Sequence, residues 1–550
     1  MGSKERSIVA KLIEIVNYVV KNKSLFQNYL KDNNNFIQSY LNVRASFYNL
    51  FLDNEKSDFK SDLRKLQSIQ KVIEVNSEEK GEVKKSNYGF DLTKLIGDLT
   101  SSSKKSGVKK TPRWKTHPPA VTREEINAQT QHLLSSLASS ESVSVRLKRL
   151  EDLLNHLICH PTAKNFAVKK GAIGILLFIR KHTNDVPTHE TILQTLTILG
   201  YADPPRSNGI RILSIDGGGM RGIAVIRMLQ RIEEISGKKI CDLFDFICGV
   251  STGAIITSCL IPPNNMSLDR IYDLYRELSS RVFNQSAFWG ASMLLWSGGY
   301  YDTSLWEKIL SDHVGKLTLI DSAKEPLCPK VAIVSTIINQ SKIIPFVFRN
   351  YAEPYNRSSE YVGSCRNTIF EAVRASAAAP TVFEEFKIGD LMHQDGGLVV
   401  NNPTAIALHE ATTLWPEESV SCVVSIGTGR YEPILTIDES IESSKSSSWK
   451  LIFTKILESA TDTEAVHRIL NDLLPDDTYF RLNPHMSRLM TMDEISELKI
   501  LELEKDTKMY CRRNEDKFYD MVSKLSSSRS PLKKFKDYMN LKLKLLGFTL

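Results

Sequence analysis

The spacing of apolar residues separates an early helical part of the chain from a later part in which strands and helices alternate. Between residues 121 and 200, apolar positions recur three and four apart, which is the period of one helix face. The clearest stripe consists of Val143, Leu147, Leu150, Leu154 and Leu157. Pro161 opens a further helix, Gly171 ends it, and helices are predicted over residues 172–180 and 191–199.

Residues 161–199 resemble an armadillo-type repeat over one or two units. Solenoids need about three or more repeats before their stacked units bury a continuous core. We therefore expect this armadillo-like helical block to dock on the domain that follows it.

After Pro204 and Pro205 the pattern changes to short β-branched runs that alternate with helical stretches. The predicted strands are residues 210–215, 244–250, 331–338, 344–348, 391–394 and 420–426. The predicted helices are residues 223–235, 254–260, 368–378 and 403–414. Strands that alternate with helices predict an α/β fold, with three layers and a mostly parallel central sheet covered on both faces.

These patterns divide the chain into five predicted segments. They are an N-terminal helical region (1–100), a basic linker (101–119), the armadillo-like helical block (120–203), an α/β domain (207–430) and a C-terminal helical extension (431–550). The chain of 550 residues, 42% of them hydrophobic, is long and apolar enough to bury the cores that this division requires.

Positive charge is concentrated near the N-terminus. Residues 1–120 contain 22 Lys and Arg but only 13 Asp and Glu, in a chain whose net charge is +7. Within the linker, the basic residues between 104 and 115 have no acidic neighbours. The linker is interpreted either as a solvated tether or as a contact for an anionic membrane, and nucleic acid is not a predicted partner.

Composition argues against several classes of protein. The eight Cys are scattered without a CxxC pair, so neither a disulfide scaffold nor a zinc site is predicted. No apolar run approaches the roughly 20 residues of a membrane span, and the N-terminus lacks the pattern of a secretory signal. We expect an intracellular protein that is soluble or peripheral to a membrane.

Two glycine-rich turns follow the first two predicted strands. Residues 217–222 (GGGMRG) match GxGxxG, but a dinucleotide site needs an acidic residue at the end of the second strand. That end is occupied by residues 249–253 (GVSTG), which form a GxSxG nucleophile elbow. Such a turn exposes the hydroxyl of Ser251, while Gly249 and Gly253 let the strand and the helix pack closely.

Together the two turns indicate acyl transfer. Both should lie at one edge of the sheet, so the backbone N–H groups of Gly217, Gly218 and Gly219 would face an oxyanion that forms near Ser251. Arg221 could reinforce this oxyanion hole.

A serine hydroxyl becomes a good nucleophile only when another group takes its proton. His409, His467 and His485 lie in the expected region, but none stands in a distinctive loop. Asp395 closes a predicted strand and precedes Gly396 and Gly397, which makes it the better partner. An Asp-Gly pair taken by itself is usually a turn signal.

In this order, the motifs at residues 216–222, 249–253 and 395–397 resemble those of the patatin-like phospholipase family. Residues 374–380 (RASAAAP), 401–403 (NNP) and 425–429 (SIGTG) are also similar to segments of that family. The resemblance covers residues 207–430, so the α/β domain is identified as a patatin-like catalytic domain.

The resemblance implies a calcium-independent phospholipase that hydrolyses acyl esters of membrane glycerophospholipids. Ser251 and Asp395 would form a dyad without a histidine, and the glycine-rich turn would hold the oxyanion. A lysophospholipase, a triacylglycerol lipase or a transacylase would share every motif. A dinucleotide-binding protein and an inactive scaffold are the alternatives from other classes. No cofactor and no metal is predicted, and residues 32–36 lack the glycine and glutamate of an EF-hand.

His393 lies two residues before Asp395 on the same predicted strand. On a strand it would point to the same face as Asp395, where it could assist the reaction. The alternative is a structural imidazole.

Two apolar segments could contact lipid. The first is a cluster that could cap the site or pack in the core: Phe283, Phe288, Trp289, Met293, Leu294, Leu295 and Trp296. The second is the amphipathic helix predicted over residues 8–20, which could also pack as an ordinary helix. The family resemblance associates the chain with mitochondrial, peroxisomal or endoplasmic reticulum membranes, while positional specificity, head-group choice and oligomeric state are not legible in the sequence.

Overall fold

The computed structural model describes residues 121–140, 142–284, 301–431 and 463–545. The predicted N-terminal helical region, the basic linker and the lipid-contact cluster beyond Phe283 lie outside these residues. The described residues from Arg123 onward belong to one compact unit. The predicted division into five segments therefore stays a prediction.

Five helices form the block that precedes the sheet. They are α1 (Arg123–Ala138), α2 (Val143–Cys159), α3 (Ala163–Lys169), α4 (Ala172–His182) and α5 (Val186–Ile198). The prediction that the last helix begins at residue 191 was wrong. It begins at Val186 because the Asp185 carboxylate accepts a hydrogen bond from Thr188 N at 3.0 Å, which caps the first turn.

The helical block docks on the α/β domain, as its shortage of repeats predicts. Gln194 Nε2 on α5 donates to Asp321 Oδ1 at 3.0 Å, and Trp415 Nε1 donates to the carbonyl of Asp203 at 2.8 Å. The block also has its own leucine-rich core. Its likeness to an armadillo repeat stays a prediction.

The α/β domain is built on one nine-stranded sheet. Its strands are β1 (Ile210–Ile215), β2 (Phe246–Val250), β3 (Lys330–Ile337), β4 (Ile344–Arg349), β5 (Gly363–Ser364), β6 (Phe386–Ile388), β7 (Leu391–Asp395), β8 (Val420–Ile426) and β9 (Tyr479–Leu482). The main order is β5-β4-β3-β2-β1-β8-β9, and the pairs from β3 through β9 in this order are parallel. The predicted mostly parallel sheet is thereby confirmed.

Helices cover both faces of the sheet. They are α6 (Gly222–Ser236), α7 (Ile240–Leu243), α8 (Thr252–Leu260), α9 (Leu268–Arg281), α10 (Thr303–Val314), α11 (Ile369–Ser376), α12 (Thr404–Leu414), α13 (Thr463–Leu473), α14 (Glu497–Arg513) and α15 (Glu515–Ser526). The last helix, α16 (Pro531–Leu545), packs instead against the helical block, where Leu541 and Leu545 contact its core. Alternate side chains of β1 enter different cores, Leu213 and Ile215 on one face and Ile210 and Ile212 on the other. The sheet is therefore the middle of three layers.

The position of β7 decides where the site forms. Strand β2 pairs with β3 as far as Val250, which lies opposite Val334. Beyond that point β7 pairs antiparallel with β3, with Asp395 opposite Ser335. Since Val334 and Ser335 are consecutive, β7 continues the line of β2 along the same edge of β3. The end of β7 thus meets the end of β2, where Ser251 stands.

Candidate active site

Ser251 occupies a strained turn between β2 and α8. Its φ is 53° and its ψ is −117°, a backbone conformation that side-chain-bearing residues rarely adopt. The close packing leaves no room for other residues at the flanking glycines. A Cβ at Gly249 would lie 2.4 Å from Gly253 O, and a Cβ at Gly253 would lie 2.3 Å from Ile215 O.

The structure brings Ser251 and Asp395 into direct contact. Ser251 Oγ donates to Asp395 Oδ2 at 2.6 Å, a short distance typical of a hydroxyl bonded to a carboxylate. The second oxygen, Oδ1, accepts from Gly397 N at 2.7 Å. Burial raises the pKa of Asp395 to about 6, although both hydrogen bonds act in the opposite direction. This carboxylate is therefore a stronger base than an exposed one.

The glycine-rich turn lies beside Ser251. A Cβ on Gly217 would be 3.2 Å from Ser251 Cβ. Gly219 has a φ of 56°, and a Cβ at this position would lie 2.2 Å from Met492 O. The N–H of Gly217 donates to the carbonyl of Asn401 at 3.2 Å. Of the three predicted amides, those of Gly218 and Gly219 have no acceptor among the described residues, so they are the donors available to a ligand.

Side chains from several elements fix this turn. Thr428 Oγ1 donates to Gly217 O at 2.9 Å, and Thr252 Oγ1, at the start of α8, donates to Gly219 O at 2.9 Å. Arg221 Nε donates to Gly218 O at 3.4 Å, so the predicted reinforcing residue contacts the turn itself. Because the carbonyl groups are held, the amide N–H groups of the turn point in fixed directions.

A buried ion pair anchors the start of the turn. Asp216 Oδ2 accepts from Arg481 Nη2 at 2.7 Å, and Arg481 also donates to Ser425 Oγ at 2.9 Å. Asp216 and Arg481 are 265 positions apart, on either side of the β8 strand that separates β1 from β9. Sequence reasoning missed Arg481, since a lone Arg in a predicted helical extension carries no signal of a partner so far away.

Ser376 holds the elbow from the opposite side. Ser251 N donates to Ser376 Oγ at 2.9 Å, and Ser376 Oγ donates to Val334 O at 2.6 Å. The amide of the nucleophile is therefore occupied. Ser376 lies inside the segment 374–380 that resembles the family, but that resemblance gave it no role. Gly396, next to Asp395, packs so tightly that a Cβ would lie 2.2 Å from Val334 O.

None of the four histidines considered in the sequence contacts either member of the pair among the described residues. His409 Nε2 accepts from Glu360 N, His467 stacks on Tyr479, and His485 is exposed. His393 is buried, its Nδ1 lies 2.9 Å from Ser335 Oγ, and its ring packs against Phe346 and Phe348. Burial lowers the pKa of His393 to about 4, so its ring is neutral at pH 7.

We predict that His393→Asn leaves the pH dependence of ester hydrolysis unchanged. Asparagine can still reach Ser335, but the lost ring contacts should lower the free energy of unfolding by about 1–3 kcal/mol. Denaturant unfolding and a pH profile of kcat/KM measure the two effects. A displaced profile would instead assign His393 to the proton transfer.

The region that holds this site is similar to known proteins. Residues 213–408 match the model of the patatin-like phospholipase family. Calcium-independent phospholipase A2-gamma from Rattus norvegicus is 41% identical over 423 residues, which are 77% of this chain and 54% of the rat protein. This chain belongs to the patatin-like phospholipase family. Residues 213–408 are accordingly called its patatin domain below.

Two further proteins are similar to most of this chain. The human protein of the same name is 41% identical over 424 residues, 77% of this chain and 53% of the human protein. Phospholipase A I from Arabidopsis thaliana is 29% identical over 492 residues, covering 73% and 37% of the two chains. This chain spans about half the length of the rat and human relatives. The solved structure of VipD from Legionella pneumophila reaches a TM-score of only 0.30 at 14% identity over 62% of this chain, which is too low to support an inference.

Within the described ranges no group of three or more His, Cys, Asp and Glu side chains is arranged to hold a metal ion. No helix in the part of the chain that the structure describes combines the length and the apolar character needed to cross a bilayer.

Proposed function

We propose that this protein is a calcium-independent phospholipase that hydrolyses acyl esters of membrane glycerophospholipids with Ser251 and Asp395. The observation that carries the proposal is the 2.6 Å contact between a serine on a strained elbow and a buried carboxylate, beside a turn with two amides that have no acceptor among the described residues. Relatives named phospholipases support the substrate class.

In the first half of the reaction Asp395 takes the proton of Ser251 as Oγ bonds to the carbonyl carbon of the ester. The carbonyl electrons move to its oxygen, and the amides of Gly218 and Gly219 donate to the resulting oxyanion. When the oxyanion collapses, the bond to the lysophospholipid oxygen breaks, and that oxygen receives the proton from Asp395. The product left on Ser251 is an acyl ester.

In the second half water attacks the acyl ester, and Asp395 takes a proton from the water. Collapse of the second oxyanion breaks the bond to Ser251, Oγ recovers the proton, and the fatty acid leaves. The same carboxylate thus acts as base and acid in turn, a role that a pKa of about 6 suits better than the lower pKa of an exposed aspartate.

The direct test is product analysis by mass spectrometry. The full chain is incubated with vesicles of phosphatidylcholine that carries different acyl chains at its two positions, with a calcium chelator present. We expect free fatty acid and lysophospholipid in equal amounts, and the chain released gives the positional preference. Absence of both products, or their dependence on added calcium, would contradict the proposal. Acyl groups found on an added alcohol instead of free fatty acid would favour a transacylase.

The raised pKa of Asp395 predicts the pH dependence. Asp395 must be ionised to take a proton, so kcat/KM should fall about tenfold per pH unit below pH 6 and level off above it. A short-chain soluble ester is the suitable substrate, because its hydrolysis avoids changes in lipid surface charge.

A control is needed because burial also raises the pKa of Asp216 to about 6. If Asp395 governs the profile, Asp216→Asn will leave its midpoint in place, even if the activity itself declines. A profile that stays flat down to pH 4, or whose midpoint disappears in Asp216→Asn, would show that Asp395 is not the titrating base.

A further inference from the structure

The side chain of Asn401 lies between the two turns of the candidate site. Position 217 has no room for a Cβ, which would lie 2.4 Å from Asn401 Oδ1. On the other side, a Cβ at Gly397 would lie 3.1 Å from the same oxygen and 3.0 Å from Asp395 Oδ1. The glycines of both turns therefore make the space that the Asn401 carboxamide fills.

This carboxamide is close to the nucleophile. The position that a Cβ of Gly217 would take, 2.4 Å from Asn401 Oδ1, is also only 3.2 Å from Ser251 Cβ. The backbone of Asn401 is fixed at the same place, since its carbonyl accepts from Gly217 N at 3.2 Å. Asn401 thus reaches the site from the loop that follows Asp395, independently of the two strands that carry Ser251 and Asp395.

The Asn401 side chain has no hydrogen-bond partner among the described residues, although it is half-buried. Its neighbour Asn402 shows the contrast. Asn402 Nδ2 donates to Thr463 O at 3.0 Å, and its Oδ1 accepts from Thr404 N at 3.1 Å. Asn402 therefore serves the fold, whereas the amide of Asn401 lies beside the reacting groups with no partner in the part of the chain that the structure describes. A carboxamide offers two N–H donors, which is the chemistry that an oxyanion requires.

We propose that Asn401 is a further catalytic residue, whose side-chain amide donates a hydrogen bond to the ester oxygen that becomes the oxyanion. It would act as a third donor beside the amides of Gly218 and Gly219. This inference rests on the proposed function, because it concerns the same acyl transfer.

The test compares Asn401→Ala and Asn401→Asp in the full chain with phosphatidylcholine vesicles. A hydrogen bond to a charged group contributes about 1.5–3 kcal/mol, so kcat should fall about 10- to 100-fold in the alanine variant with little change in KM. The aspartate variant has the same shape but no donor, and its charge repels the oxyanion. We expect it to be slower still. If Asn401 merely fills space, the aspartate variant will be the more active of the two.

Two further measurements keep the outcome interpretable. Thermal unfolding should show Asn401→Ala close to wild type, while the control Asn402→Ala should have a lower Tm because it loses the side-chain hydrogen bonds to Thr463 and Thr404. The second measurement is the labelling rate of Ser251 by a fluorophosphonate, in which Oγ bonds to phosphorus as fluoride leaves. Labelling should slow in the same order as hydrolysis.

The labelling also separates this inference from the proposed function. If wild type is labelled but releases no product from any lipid ester, the proposed function fails and the labelling rates still test Asn401. If wild type hydrolyses the vesicles and both Asn401 variants retain wild-type kcat, the inference is overturned and the proposed function stands.

Discussion

Replacement of Ser251 by alanine is expected to lower kcat/KM for phospholipid hydrolysis by at least about 10³-fold, since it removes the hydroxyl that is proposed to form the acyl ester. Asp395→Asn should cause a loss of about the same order, because an amide cannot take the proton of Ser251. The loss in the double variant should be no larger than in either single variant, since the two residues act as one unit. Rates are measured on mixed-chain phosphatidylcholine vesicles with a chelator present.

Asp395→Asn should also change the stability of the protein. The folded pKa of Asp395 lies near 6, above that of an exposed aspartate, so this group lowers the free energy of unfolding as the pH rises from about 4 to 6, and the loss stays constant above pH 6. Asp395→Asn removes this cost, and we expect the free energy of unfolding at pH 8 to rise by up to about 3 kcal/mol. At pH 4, where the carboxyl is protonated in the folded state, the gain should largely vanish.

Denaturant unfolding at the two pH values, together with the rate measurements, checks this prediction. An Asp395→Asn protein that is both inactive and much less stable at pH 8 would show only that the site had collapsed. Residual hydrolysis near wild type in either Ser251→Ala or Asp395→Asn would exclude the dyad itself.

Gly218→Ala is expected to cause the second largest loss. The new Cβ would lie 2.2 Å from Thr428 Oγ1 and 2.9 Å from Thr428 Cγ2, so either the threonine or the turn must move. A shift of the turn moves the two unoccupied amides away from the oxyanion. We expect kcat to fall by about 10²–10³-fold, the loss typical when an oxyanion-hole donor is removed. Steady-state kinetics on the same vesicles measures it.

Gly237→Ala is the matched control for this substitution. Gly237 ends α6 with a φ of 63°, and nothing lies within 4 Å of the position its Cβ would take. An alanine there is strained but meets no neighbour, so it should lower stability by about 1 kcal/mol and leave hydrolysis unchanged. Equal kinetic losses at Gly218 and Gly237 would mean that backbone strain, rather than the amides of the turn, explains the effect.

Local pattern was enough to predict the parts of the site that depend on neighbours in sequence. Ser251 lies between two glycines at the end of an apolar strand, and the GGGMRG turn follows another strand. Both turns can be recognised in the sequence because tight packing there requires glycine. The central strands β1, β2, β3 and β8 were also predicted from local pattern, since each is a short run rich in β-branched and other apolar residues. Their parallel pairing follows from the helices between them.

Features that depend on distant pairing could not be predicted in the same way. The short strands β5, β6 and β9 have weak patterns, and they are strands only because longer neighbours pair with them. Arg481 lies on β9, and nothing near it in sequence indicates that Asp216 is its partner. The hydrogen bond from Gly217 N to the carbonyl of Asn401 could not be predicted either, because it depends on how two loops meet.

Because β7 continues the line of β2 along β3, the pairing of β7 with β3 determines where Asp395 lies relative to Ser251. Asp395 is held by its register against Ser335, and a slip of one residue would move it by about 3.3 Å and turn it to the other face. The roughly fifty residues that connect β3 to β7 help to hold this position, since Ala378 O accepts from Asp395 N at 2.9 Å, Ser376 Oγ accepts from Ser251 N, and β6 pairs with β7. Insertions or substitutions elsewhere in this connection, which keep Ser376, the Ala378 carbonyl and the β6 pairing in place, should therefore leave the distance between nucleophile and base constant.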